Sequence, residues 1–346
     1  MRTLHVTNGD SAAEGLAGSG IPGDVLPWRD VLHDGPVPAG EDDGALRSAR
    51  AAFLSRGQPA VEAEILADLV ARDTRVASLT AGDTVVLWFE PDLYDQLQLM
   101  QVLAQLAALP VPDRPAISIV PADLLLGSLA SAKFVPLHEQ RRAITDADVA
   151  LGRAAWRAFT APSPEPLRAM VDEVSGRIPA RTYAADTTVR LPYLASALRR
   201  VLEEYPDLES GLSRTERQVC EALASGPLTA AALFETAHHA CEAWPWLGDR
   251  SFAWYLERLA DGARPLLEQD NGARVVAPVH AAESRAFWDR RVQLTSFGVE
   301  VMRGRADAIR ANGIDRWIGG VHLTTSAHWR WDARLQRPVP PRDTYI

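Results

Sequence analysis

Short β-type runs alternate with helical periods through the first third of the chain, and no other feature restricts the fold as much. LHVT (4–7) reads as a strand, SAAEGLAGSG behind it as a short helix ended by glycines, and DVLPW (24–28) as a second strand. TVVLWF (84–89) is a β-branched and aromatic run of the kind buried on both faces of a sheet. DLYDQLQLMQVLAQLA follows with Leu93, Leu97, Met100 and Leu103/Ala104 at helical spacing, and AISIVP (116–121) supplies another strand. Strand and helix in this order require crossover connections, which gives an α/β fold with a mostly parallel, Rossmann-like sheet over residues 1–142.

Strand signals fade from about residue 143. DADVALGRAAWRAF, EPLRAMVDEVSG and LPYLASALRRVLEEYP read as amphipathic helices, so 143–208 is expected to be a helical connecting segment. SRTERQVCEALASG, LTAAALFETAHHACEAW and DRSFAWYLERLADG then form three helical periods. LLEQDNGARVVAP reads as a hairpin with Asn271-Gly272 at its turn. Three helices and a hairpin are the element order of a winged helix, so 209–346 is expected to be a mainly helical, winged-helix-like domain. VQLTSFGVEVMRG adds a strand and a helix, and the chain closes in a Trp- and Pro-rich tail.

At 346 residues two domains are the default, and 47% hydrophobic with 23% charged residues suits a packed core. No apolar stretch is long enough for a membrane span, and MRTLHVTNGD turns polar too early for a signal peptide, so the expected location is cytoplasmic with no membrane partner. Cys220 and Cys241 form neither a disulfide framework nor a zinc spacing and are expected to be buried apolar residues. His238-His239 and Cys241 do not share one helix face, so no metal site is assigned. A net charge of −9 works against indiscriminate binding to nucleic acid. Lys133 is the only lysine, and the abundance of arginine is a compositional bias that lowers the weight of any single Arg.

Candidate site residues gather where the early strands end. Asn8-Gly9-Asp10-Ser11 leaves the first strand and enters a helix, aiming free N–H groups at one place; glycine allows close approach, which suits an anion or a nucleotide phosphate. The run is neither GxGxxG nor a P-loop, and Asp10 or Ser11 as a simple helix cap explains it equally. After the second strand, Asp30, His33 and Asp34 offer an imidazole beside carboxylates, although Asp34-Gly35-Pro36 is also turn chemistry. After the third, Trp88, Glu90, Tyr94, Asp95 and Gln96 add a further polar group, with Asp92 read as a cap. In the tail, IGGVHL reads as a strand with paired glycines, and Arg316 or Arg330 is placed to clamp an anion between tryptophans, unless the tail is a docking strand.

Strand, Gly-Asp-Ser and helix in that order also resemble the nucleophile block of the Gly-Asp-Ser esterases and lipases, and Asp30-Val31-Leu32-His33 has the spacing of their Asp-x-x-His pair. That resemblance implies a Ser11/His33/Asp30 triad. Here the pair follows the serine at once instead of closing the domain, and a Gly-x-Asn-Asp block is missing. Across three ordered segments, HVTNGDSAAEGL, GDVLPWRDVLHDGPVP and LWFEPDLYDQLQLMQVLAQL, the chain resembles the bacterial domain family of unknown function numbered eighteen thirty-five, over its first 125 or so residues. LTSFGVEVMRG and IDRWIGGVHL are similar to the companion region of its longer members. The family has no established activity, so the resemblance implies neither reaction nor cofactor.

Three functions follow as expectations. One is an enzyme binding a small anionic or nucleotide-like ligand for hydrolysis or group transfer, with His33 as acid or base, Asp30 or Asp34 orienting it, and Asn8 to Ser11 holding the substrate. The second is a ligand-responsive DNA-binding regulator reading through DRSFAWYLERLAD, which is not favoured because Asp249, Glu257 and Asp261 offset Arg250 and Arg258. A partner-binding protein without catalysis is a third. No cofactor is assigned.

Overall fold

The computed structural model describes residues 2–40, 43–56, 58–177, 191–279 and 281–341. They divide into two compact units, Met1–Arg200 with Trp317–Val321, and Val201–Arg316 with His322–Ile346. The helical segment expected over 143–208 thus belongs mostly to the first unit, and the one division falls near residue 200, close to the boundary expected at 208 and not at 142.

The first unit runs β1 (Thr3–Thr7), α1 (Asp10–Ala17), β2 (Asp24–Pro27), α2 (Asp43–Ser55), α3 (Pro59–Ala77), β3 (Thr84–Trp88), α4 (Leu93–Ala108), β4 (Ala116–Ile119), α5 (Phe134–Glu139), β5 (Arg142–Ala143), α6 (Asp146–Phe159), α7 (Glu165–Arg177) and α8 (Leu194–Leu202), the last reaching just past the division. Its sheet has the order β2-β1-β3-β4-β5, parallel except for the edge strand β5. The chain is therefore α/β around a mostly parallel five-stranded sheet. Thr7 lies level with Pro27 on one side and Trp88 on the other, so the three strands end together.

Alternation along β3 sends Val86 and Trp88 to one face, where Ala12 and Leu16 of α1, Leu126 and Phe134 complete an apolar cluster. Val85 and Leu87 are buried as well and take the other face. Helix α4 is buried on nearly every side, and its polar residues are used internally. Gln98 Nε2 donates to the carbonyls of Trp28 (2.7 Å) and Asp30 (3.0 Å), and the Trp28 indole donates to Gln101 Oε1 (2.7 Å). These bonds fix the loop behind β2 to the helix behind β3, satisfying groups that would otherwise be buried without partners.

The second unit holds α9 (Arg214–Ala222), β6 (Leu228–Thr229), α10 (Ala230–Phe234) running into a π-helical turn, α11 (Asp249–Leu259), β7 (Leu267–Gln269), α12 (Ala281–Trp288), β8 (Arg291–Leu294), α13 (Ser296–Met302) and α14 (Ala308–Asn312). Strand β7 pairs with β8 from beyond α12, giving an antiparallel sheet of order β6-β8-β7. The expected local hairpin is corrected accordingly: Asn271-Gly272 makes a tight turn, with Gly272 N–H on the Gln269 carbonyl, but no second strand follows it directly. The chain continues through β9 (Asp315–Ile318), β10 (Val321–Thr324), β11 (Arg330–Asp332) and β12 (Arg337–Val339). Gly319-Gly320 is the turn between β9 and β10, not the interior of one strand. Cys220 is buried as expected, whereas Cys241 is exposed. Among the described residues no helix is long and apolar enough to cross a membrane.

Candidate functional site

The chain leaves β1 toward β2 and returns across β1 to β3, so the connections after β1 and β3 diverge and open a crevice outside their carboxyl ends, the usual ligand position in an open α/β sheet. Two segments meet there. Asn8 and Gly9 follow β1, and Glu90, Asp92 and Asp95 follow β3.

Asn8 holds the crevice together. Its Nδ2 donates to Glu90 Oε1 and to Asp95 Oδ1, each at 3.0 Å. Glu90 Oε1 also accepts the Leu126 N–H (2.7 Å), and Asp95 Oδ2 accepts the Glu90 N–H. Asp92 caps α4 by accepting the Asp95 N–H at 2.9 Å, and Gln96 Nε2 donates to the Glu90 carbonyl at 2.7 Å. Carboxylate oxygens of Glu90, Asp92 and Asp95 lie within 4.8 Å of one another, all three side chains are buried, and no Arg or Lys among the described residues pairs with them.

Three like charges buried without a counter-ion cannot all persist. Burial pushes the Asp92 carboxyl up to about 8, with the Glu90 charge adding to the shift against the N–H bonds that favour the anion. Burial raises Glu90 as well, and raises Asp95 well above the carboxylate range, helped by the charges of Asp92 and Glu90. An all-oxygen set suits a hard divalent cation. Each Asp95 oxygen accepts one N–H, from Asn8 and from Glu90.

At the start of α1, Gly9 is extended and a side chain built on it would meet nothing within 4 Å. The N–H groups of Asp10, Ser11 and Ala12 have no acceptor among the described residues. The Asp10 carboxylate is drawn outward to Arg29 (2.8 and 3.0 Å), so it does not cap the helix.

The triad is not assembled. Asp30 and Arg50 are both 1% exposed, and Asp30 Oδ1 accepts from Arg50 Nε (3.0 Å) and Nη2 (2.9 Å), which spends its charge on a buried ion pair instead of on His33. Ser11 is exposed on α1 with no hydrogen bond to His33. His33 lies nearly buried with its ring edge-on to Tyr94 (centroids 5.8 Å apart), and Tyr94 Oη donates to the Asn8 carbonyl at 3.3 Å. Tyr94 thus joins the segment behind β2 to the crevice. Asp34 is buried and accepts the Gly35 N–H at 3.1 Å, the turn role.

Arg316 belongs to the second unit and is corrected as an anion clamp. Its guanidinium donates to Glu216 Oε1 (2.9 Å) and to the Glu204 carbonyl (2.8 Å), in a buried network where Glu204 also accepts from Thr215 Oγ1 (2.6 Å) and Tyr255 Oη (2.9 Å). Arg330 is taken up by Asp307 in the same way.

No protein-family model matches this chain, and a search of curated proteins returns no match. Site and function therefore rest on geometry alone.

Sequence reasoning placed Tyr94 in the group behind β3 but missed Arg50, Gln98 and His5. The spacing of Arg50 on α2 carries no mark of a core role; only the partner 20 residues earlier does. His5 lies mid-strand, accepts the Trp88 indole N–H at Nδ1 (3.1 Å) and bonds the Pro22 carbonyl through Nε2 (3.2 Å), and burial lowers its pKa, so it is neutral with the proton on Nε2. His238 is likewise structural, its Nε2 accepting the N–H groups of Trp246 and Leu247 at 2.9 Å each.

Proposed function

We propose that the first unit is an enzyme acting on a small anionic or nucleotide-like molecule held between the carboxyl ends of β1 and β3, by hydrolysis or group transfer. The observation that carries this reading is the group of three buried carboxyls, with no counter-cation among the described residues, beside an open helix start. The amides of Asp10, Ser11 and Ala12 receive the anion, and the empty space at Gly9 lets it reach the backbone. An Asp92 carboxyl kept neutral near pH 7 does not repel that anion, and a protonated carboxyl is a proton donor for a leaving group. Asp92 takes the proton-holding role expected of His33, whose ring packs edge-on against Tyr94. Ser11 contributes its N–H to the ligand.

Strand order β2-β1-β3-β4-β5 supports reading this unit as Rossmann-like, and the order α9, β6, α10, α11, β7, β8 with sheet order β6-β8-β7 supports a winged-helix-like second unit. A cytoplasmic location and the resemblance to domain family eighteen thirty-five belong to the same proposal. The DNA-regulator reading is weaker, because α11 is buried at Ser251 to Leu256 and Leu259, and Arg258 lies over the Tyr255 ring (4.2 Å) beside Glu216 (3.6 Å).

The test is a thermal-shift panel of nucleotides and phosphorylated metabolites on the parent protein, Asn8→Ala and Asp92→Asn. One ligand class should stabilise the parent, by about 2.7 kcal/mol at a hundredfold excess over Kd, and lose that effect in Asn8→Ala, whereas Asp92→Asn, a neutral isostere of the protonated carboxyl, should still bind the ligand but not turn it over. The reading fails if no ligand shifts the parent, if well-folded Asn8→Ala responds as the parent does, or if Asp92→Asn turns the ligand over as the parent does.

A further inference from the structure

A separate cavity of about 170 Å³ opens at the end of β4, with Gln96 as its one residue in common with the crevice. Its apolar walls are Phe89, Leu99, Leu191 and Pro192. Gln96 is 3% exposed, its Nε2 held on the Glu90 carbonyl. Two charged side chains line the cavity with no ion-pair or side-chain hydrogen-bond partner among the described residues: Arg142, half-buried on β5, and Asp123, exposed and not paired with Arg142.

A cation and an anion on one cavity wall, not paired with each other and beside apolar surface, complement a ligand that carries both charges. We propose that this cavity binds a small zwitterion of the α-amino-acid type: its carboxylate on Arg142, its ammonium beside Asp123, and an apolar side chain against Phe89, Leu99 and Leu191. A simple anion would leave Asp123 without a counter-charge, and a simple amine would leave Arg142 without one.

Isothermal titration of the full chain with L-leucine and L-phenylalanine tests this, beside isopentylamine and phenethylamine, which lack the carboxylate, and 4-methylpentanoate and 3-phenylpropanoate, which lack the amine. At least one amino acid should bind, with its two truncated analogues at least tenfold weaker. Arg142→Gln and Asp123→Asn alter residues that are not buried, so both variants should fold, and each should weaken binding at least tenfold. Asn8→Ala and Asp92→Asn should leave this binding intact, which separates it from the crevice. The proposal is overturned if neither amino acid binds at millimolar concentration, if an analogue binds as well as its amino acid, or if Arg142→Gln binds like the parent.

Discussion

Asp92 caps α4 and is buried, and burial outweighs the cap's preference for the anion. In the unfolded chain the group titrates near 4, and in the native chain at about 8. Between these values the native state keeps a proton that the unfolded state has lost, so stability falls as pH rises and levels only once both states are ionised. Glu90 and Asp95 shift the same way. Urea midpoints from about pH 5 to about pH 9 should decline steadily, and Asp92→Asn, which retains a cap oxygen, should flatten the decline. An unchanged slope would place the retained protons elsewhere. The Asp30–Arg50 pair gives a second prediction. Arg50→Leu strands a buried carboxylate and should cost about 3–5 kcal/mol by urea denaturation. Were Asp30 instead the orienting acid of a His33 dyad, that loss would be small. The crevice residues Asn8, Glu90 and Asp95 were legible because each follows a recognisable strand. Arg50 was not, since a buried ion pair between separated positions leaves no local periodicity.

Among the elements, the strands of the first unit were readable from β-branched runs, whereas β5 was not: two residues on an antiparallel edge are too short to show a period. The hairpin expected at Asn271-Gly272 shows the opposite failure. Its turn forms locally, but pairing is decided by what lies across the sheet, and β8 arrives from beyond α12. Helix α6 shows how packing overrides propensity. A Cβ at Gly152 would lie 2.5 and 2.6 Å from Leu103 Cδ1 and Cβ, so α4 and α6 cross on that glycine. Alanine is favoured over glycine inside a helix by about 1 kcal/mol, and at Gly176 near the end of α7, where no described atom lies within 4 Å, Gly176→Ala should stabilise by up to that amount. Gly152→Ala should instead be net destabilising, since overpacking costs about 1–3 kcal/mol. Opposite shifts of the two urea midpoints would bear this out. A stabilised Gly152→Ala protein would mean the helices separate freely.

For the molecule as a whole, the placement of residues 317–321 matters more than their order in sequence. Trp317–Val321 counts with the first unit, although well over a hundred residues separate it from Arg200. The contacts explain why. The Val37 N–H donates to the Gly319 carbonyl at 2.9 Å, the Gly320 N–H to the Phe159 carbonyl at 3.1 Å, and Val37 is fully buried. A Cβ on Gly320 would fall 1.8 Å from the Thr160 carbonyl oxygen, so only glycine admits this approach. The paired glycines were visible in the sequence, and the backbone they approach was not. A chain ended at Arg200 therefore lacks the acceptor for a buried N–H, a loss of about 1–3 kcal/mol. Amide hydrogen exchange at Val37 should quicken in that fragment, and also in full-length Gly320→Val, where the tip is displaced but present. Agreement between them would assign the protection to the tip itself. Continued protection of Val37 in the fragment would show that the first unit closes without residues 317–321, and that its natural limit lies at Arg200.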